Sequence, residues 1–177
     1  KFEFYANTIP VIFERIGGYQ PELMQRIRKV LTSAVRLSLA SRQACFGDVY
    51  FILHDRKFRD ELLSRPHVHP YAWDYWMQEF AKMSARDQRA IDSTDSRLRP
   101  ILDPTYLNYA LNQVETTLDI PAWLDAGYLV VLDLDQSEMG IDTARAFANL
   151  VLGALVNDIV QRPGGQSALP WRLIVDE

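Results

Sequence analysis

Hydrophobic positions along this 177-residue chain fall into two regimes that meet near residue 118. From Pro21 onward, apolar residues recur every three or four positions, the spacing of an amphipathic helix. Leu23, Ile27, Val30, Leu31, Ala34 and Leu37 predict a helix over 21–40, with Pro21 suited to its first turn. In "GDVYFILHD" the composition favours a strand. Asp48 as a cap with Val49, Ile52 and Leu53 on one face favours a helix, and helix is the reading taken. "DRKFRDELLSR" predicts another helix, stopped by Pro66, and "PHVHP" a loop. A further helix should carry Trp73, Trp76, Met77, Phe80 and Met83 on one side. Ser84 and Asp87 have capping-box spacing ahead of a helix reaching Leu98, and Asp103-Pro104 opens a short helix ending near Asn112.

The second regime consists of short continuous apolar runs. "PAWLDAG" reads as a helical turn, and "YLVVLDL" as a strand too apolar to have one wet face, so it should be covered on both sides. A helix from Ile141 to Gln161 should face inward through Ala144, Phe147, Ala148, Val151, Leu155 and Ile159. The loop "RPGGQSALP" then leads to a last strand, "WRLIV". Strand, helix and strand in this order predict a right-handed βαβ unit with parallel strands, and so an α/β fold class. Residues 1–16, with Phe2, Phe4, Val11, Ile12 and Phe13, read as one or two further strands closed by Gly17-Gly18.

Composition adds little to the fold but bounds the function. A hydrophobic share of 48% with 24% charged residues is that of an ordinary globular protein. No unbroken apolar run approaches the roughly 20 residues of a bilayer-spanning helix. The single cysteine, Cys45, allows no internal disulfide and no paired metal motif. The net charge of −4 is uneven: residues 21–65 carry nine Lys/Arg against five Asp/Glu, and residues 119–177 three against nine. A basic stretch beside an acidic one suits a polyanion-facing surface next to a cation site, or simply two solvated faces.

The candidate chemistry sits at the end of the last strand. Ligands gather at the carboxyl ends of parallel strands, and there Leu173-Ile174-Val175 is followed by Asp176 and Glu177. An apolar strand ending in this pair has the pattern of a Walker B motif. The Asp helps hold Mg²⁺, and the Glu orients the water that attacks a γ-phosphate. The phosphate-cradling loop GxxxxGK[ST] does not occur in the sequence, since Gly17-Gly18 and Gly164-Gly165 lack the following Lys. Other residues have plainer readings. His67 and His69 lack further ligands for a zinc site, and Asp133 and Asp135 begin a solvated loop unless they form an outer shell to magnesium. Trp73, Trp76 and Phe80 at helical spacing suit a core better than base stacking. Cys45 has no base nearby in sequence.

In order, "SRLRPIL", "TTLDIPAWLDAG", "YLVVLDL", "EMGIDTARAFANLVLGALVNDIV" and "LIVDE" resemble the segments leading into the Walker B strand of HerA/FtsK-type hexameric DNA-pumping ATPases. The nearest branch is that of conjugative coupling proteins and type IV secretion ATPases. "IRKVLTSAVRLSLAS", "GDVYFILHDRKFRDELL" and "WDYWMQEF" resemble the all-helical insertion of that family. The resemblance implies a partial RecA-like core with strands in 1–20, a helical insert in 21–117 and a βαβ segment in 118–177. It implies ATP and Mg²⁺ as cofactors, with Asp176 as the metal- and nucleotide-associated carboxylate and Glu177 as the catalytic one. The implied partners are DNA or nucleoprotein, sister subunits in a homo-hexamer, and secretion-channel proteins. The implied place is the cytoplasm, with any membrane anchor outside these residues. Arg97, Arg99 and Arg145 are candidates for a subunit interface. Lys1 opening without a Met and the abrupt Asp-Glu end suggest an internal piece of a longer motor, inactive by itself. The rival reading is a non-catalytic helical interaction module on a small α/β base.

Overall fold

Nine α-helices and two irregular helical turns make up what is seen in the computed structural model, which describes residues 21–84, 88–115, 118–161 and 172–174. The helices are α1 (Pro21–Ser38), α2 (Asp48–His54), α3 (Arg56–Leu63), α4 (Pro70–Asp74), α5 (Gln88–Leu102), α6 (Thr105–Leu111), α7 (Ile120–Ala126), α8 (Gln136–Met139) and α9 (Ile141–Gln161). Between α4 and α5 the chain forms a π turn at Tyr75–Glu79 and a 3₁₀ turn at Phe80–Lys82. No strand and no sheet occur among the described residues, so the expected α/β class with a RecA-like parallel sheet is overturned. The physical reason lies at 128–134. Its β-branched and aliphatic residues favour a strand, but the segment takes no regular secondary structure, and no strand among the described residues pairs with it. Strand-favouring composition does not suffice, because a sheet also needs a partner. The segment is not covered on both sides either: Tyr128 to Leu132 are all exposed, with Leu129 at 92%.

The core belongs to the helical region. α1 is its central element, packed against α2, α4 and α5. Ile27, Val30, Leu31, Ala34, Val35 and Leu37 on α1 are buried against Val49, Ile52 and Leu53 of α2 and Leu98 and Ile101 of α5. The helical reading of 48–54 therefore holds, with one shift: Gly47 occupies the cap position and Asp48 is the first helical residue. The Asp48 carboxylate accepts from the Cys45 N–H at 3.2 Å instead. Gly47 is needed there for space. Its N–H donates to Asn112 Oδ1 at 2.6 Å, and a Cβ would lie 2.7 Å from that same oxygen.

Capping sets most of the boundaries. Asp55 ends α2 and begins α3, accepting from the N–H groups of Lys57 at 2.8 Å and Phe58 at 3.2 Å. The Arg59 guanidinium donates to the carbonyls of Ile52 at 2.7 Å and Leu53 at 3.4 Å, satisfying the end of α2. The same group lies 5.3 Å from the Trp76 ring centroid and 4.8 Å from that of Phe80. Burial lowers the Arg59 pKa from its ordinary value.

The stripe expected on the helix after Pro70 is displaced. Trp76 is buried and Phe80 half-buried, but Trp73 and Met77 are 42% and 45% exposed, and Tyr75 takes the buried place. The π turn accounts for Met77, which lies inside it, because one extra residue per turn shifts the faces from there onward; Trp73 lies before it. α5 also runs past the predicted Leu98 to Leu102, through an exposed Pro100. Beyond it, Asp119 caps α7 by accepting from the Ala122 N–H at 3.2 Å. Gly127 ends α7 with φ of 69°, the left-handed conformation that glycine adopts without steric cost.

α9 meets the helical core through Ala146, Phe147 and Leu150, and meets α7 through Leu155. Its expected inward face is covered only in part. Ala144 and Leu155 are buried, whereas Ile159 is exposed, as are Val156 and Val160 outside that face. By length and composition, residues 141–160, with mean hydropathy 1.2, also meet the requirement for a membrane crossing, one that helices lying on a protein core satisfy as well.

Candidate functional site

Asp176 and Glu177, the expected metal-associated and catalytic carboxylates, lie outside the described residues, as do the expected N-terminal strands in 1–20. The approach to the pair is described at Arg172–Ile174. It has no regular secondary structure, with Leu173 53% and Ile174 79% exposed. The other acids once placed near a magnesium site divide. Asp133 is exposed on the irregular segment that precedes α8. Asp135 caps α8, its Oδ1 accepting from the Ser137 N–H at 2.7 Å and the Ser137 hydroxyl at 2.6 Å. Those two hydrogen bonds hold its carboxyl below the usual range. Its oxygen is committed to a helix start, which favours the plain reading of this pair.

No group of three or more His, Cys, Asp or Glu among the described residues is arranged to hold a metal ion. His69 caps α4, Nδ1 accepting from the Tyr71 N–H at 3.2 Å, so its neutral form carries the proton on Nε2. His67 is exposed beside it. Cys45 faces Asp48, its Sγ 3.5 Å from Oδ1. Burial and then the neighbouring carboxylate push its thiol pKa up, the opposite of an activated nucleophile. Among the arginines, Arg99 Nε donates to Asp95 Oδ2 at 2.8 Å, and Arg145 is exposed on α9.

Two polar constellations emerge that periodicity did not single out. In the first, Asp95 of α5 also receives His54 Nε2 of α2 at 3.1 Å, while the His54 ring lies 4.5 Å from that of Tyr50. Burial alone would raise the Asp95 carboxyl. The bonds from Arg99 and His54 outweigh it and hold the group below its ordinary value. The arrangement clamps α2 to α5.

The second is a cleft of about 320 Å³ between α1 and the π turn, lined by Arg26, Lys29 and Val30 on one side and Tyr75, Glu79, Lys82 and Met83 on the other. Among the described residues it thus holds the cations Arg26, Lys29 and Lys82 and the carboxylate Glu79, and Lys29 Nζ hydrogen-bonds Glu79 Oε2. Tyr75 is 1% exposed, and its hydroxyl has no hydrogen-bond partner. Desolvation first, and then the Glu79 charge, raise its pKa far above the ordinary value, so the hydroxyl stays protonated. The signal in the sequence was the local excess of Lys/Arg over 21–65. Nothing there could show that Lys82, fifty positions on, joins them.

Comparison with family models, with characterised proteins and with solved structures finds no match to this chain.

Proposed function

We propose that this chain is part of an ATP-driven translocase that moves DNA or a nucleoprotein, in conjugation or type IV secretion. In this reading Asp176 holds Mg²⁺ with the nucleotide and Glu177 orients the attacking water. The phosphate-cradling loop comes from outside these 177 residues, the motor works as a homo-hexamer on the cytoplasmic side of a secretion channel, and the 177 residues alone turn over no ATP.

One observation carries the reading beyond motif order. Two segments of strand-favouring residues, at 128–132 and 172–174, leave their aliphatic side chains in water, as do Val156, Ile159 and Val160 of α9. Exposed apolar residues concentrated in this part of the chain suit an interaction site. A motor subunit that surrounds these segments supplies that cover, and it delivers the acids that follow 172–174 to a nucleotide. The test is hydrolysis of ATP by the whole product of the reading frame, with and without DNA. Turnover that rises with DNA supports the proposal, and absence of Mg²⁺-dependent turnover opposes it.

The rival, a helical interaction module without catalysis, is favoured by a different observation. The residues from Ile27 to Leu107 bury one continuous core, which leaves their outer faces available for partners. The coding sequence upstream discriminates: GxxxxGK[ST] shortly before Lys1 decides for the motor.

A further inference from the structure

The segment between α7 and α8 offers main-chain groups to a partner as well as side chains. We propose that residues 129–134 are a docking strand for another polypeptide, whose aliphatic and basic residues add alongside them as a β-strand and set a Lys or Arg against Asp133.

Three observations carry this. First, exposure along the segment alternates with a period of two, the side-chain period of a strand. Leu129 and Val131 are 92% and 80% exposed, Val130 and Leu132 only 41% and 44%. Asp133 continues the barer series and the half-buried Leu134 the other. One face, with Leu129, Val131 and Asp133, is thus turned to water, and the other is partly covered. Second, the main chain is open. The Tyr128 N–H still donates to the Trp123 carbonyl at 3.2 Å, and the Asp135 carbonyl accepts from the Met139 N–H at 3.0 Å. Between them, among the described residues, no hydrogen bond engages the N–H and C=O groups of 129–134. Such groups are what an added strand binds, with alternate side chains giving specificity. Third, the charge has one sign. Asp133 and Glu138 are exposed and enter no ion pair among the described residues, and Arg145 is the one Lys/Arg between residues 119 and 161.

A basic strand fits better than a helix or a second copy. A docked helix satisfies its own main chain and leaves that of 129–134 unpaired. A second copy of the segment brings an Asp133 of its own, and like charges on neighbouring strands destabilise the pairing. A Lys or Arg at that level turns the same contact into an attraction. This is a segment that the translocase reading leaves to be covered. The contact needs neither ATP nor Asp176 and Glu177, so it stands or fails apart from that reading.

The test measures fluorescence anisotropy of three labelled peptides with the 177-residue chain. They are KVTVTVKK, its acidic counterpart EVTVTVEE, and KVTPTVKK, whose central Pro cannot donate to a ladder. The basic strand is expected to bind at least about tenfold more tightly than either of the others. Asp133→Lys should reverse the preference, so that the acidic peptide binds about tenfold more tightly than the basic one. Alternate residues donate to opposite edges of a strand, so either Val130→Pro or Val131→Pro should weaken binding at least about tenfold. Val130→Thr and Val131→Thr keep the N–H and should stay within about threefold of the parent. Absence of binding by the basic peptide, or equal affinity for all three, overturns the proposal. So does a preference that Asp133→Lys leaves unchanged, or an affinity that neither Pro variant lowers. Sedimentation of the chain alone is the last arm. Concentration-dependent dimers that a Pro variant abolishes would give the segment to a second copy, and they too overturn the proposal.

Discussion

The indole N–H of Trp76 donates a 3.2 Å hydrogen bond to the main-chain carbonyl of Ser33, joining the π turn to the middle of α1. Both residues are buried, and Trp76 also packs edge-on to Tyr75 with ring centroids 5.0 Å apart. The bond fixes which side of the π turn faces the core and therefore which residues line the cleft. Trp76→Phe removes the donor while keeping most of the volume, at an expected cost of about 1 kcal/mol. Trp76→Ala also opens a cavity, for about 3–5 kcal/mol. Urea unfolding of the two variants against the parent measures the difference.

Gly47 and Asn112 form a second long-range lock, from the start of α2 to the end of α6. Asn112 is held in turn by its side-chain N–H to Asn108 Oδ1 at 3.1 Å. Gly47→Ala forces the amide of Asn112 away and is expected to cost about 1–2 kcal/mol through the clash and the lost bond. In a Gly47→Ala/Asn112→Ala double variant the clash has no partner. The two costs should then fall short of additivity by at least about 0.5 kcal/mol.

The His54–Asp95–Arg99 cluster predicts a pH dependence of stability with a definite sign. The folded-state pKa of Asp95 lies below its ordinary value of 3.8. The stabilisation it brings is fully present above that ordinary value and is lost as pH falls through the lower folded one. Melting temperatures between pH 2 and 6 should therefore drop less steeply in Asp95→Asn than in the parent, while at pH 6 the variant should already melt lower. Parallel curves would show that the cluster contributes nothing.

Leu129 makes the opposite kind of prediction. At 92% exposure it has almost no buried area to lose, so Leu129→Lys should change stability by no more than about 0.5 kcal/mol. Ile52→Ala in the core should cost about 2–5 kcal/mol. In the whole reading-frame product the same Leu129→Lys should be disruptive if other parts of the protein cover this segment. Thermal melts of both lengths of chain with this one substitution make the comparison.

The helical half was legible because its signals are local. The 3.6-residue recurrence from Ile27 to Leu37 and the acid preceding α3 each act within a few turns, and α1 and α3 form where periodicity puts them. The π turn was not legible, since a single extra residue per turn leaves no mark in composition. It was enough to leave Met77 out of the core. The sheet failed for a different reason. "YLVVLDL" declares an extended backbone, but pairing is a property of two segments, and its partner is absent among the described residues. The cleft was half visible, as a basic excess around α1. Its second wall depends on the fold that returns Glu79 and Lys82 to α1.

The central claim is that Glu177 orients the water that attacks ATP, and one substitution addresses it most directly. In the whole reading-frame product, Glu177→Gln should keep Mg²⁺-dependent ATP binding and lower DNA-stimulated hydrolysis at least about 100-fold, the usual effect of losing a positioned catalytic carboxylate. Hydrolysis at the parent rate in Glu177→Gln would contradict the account.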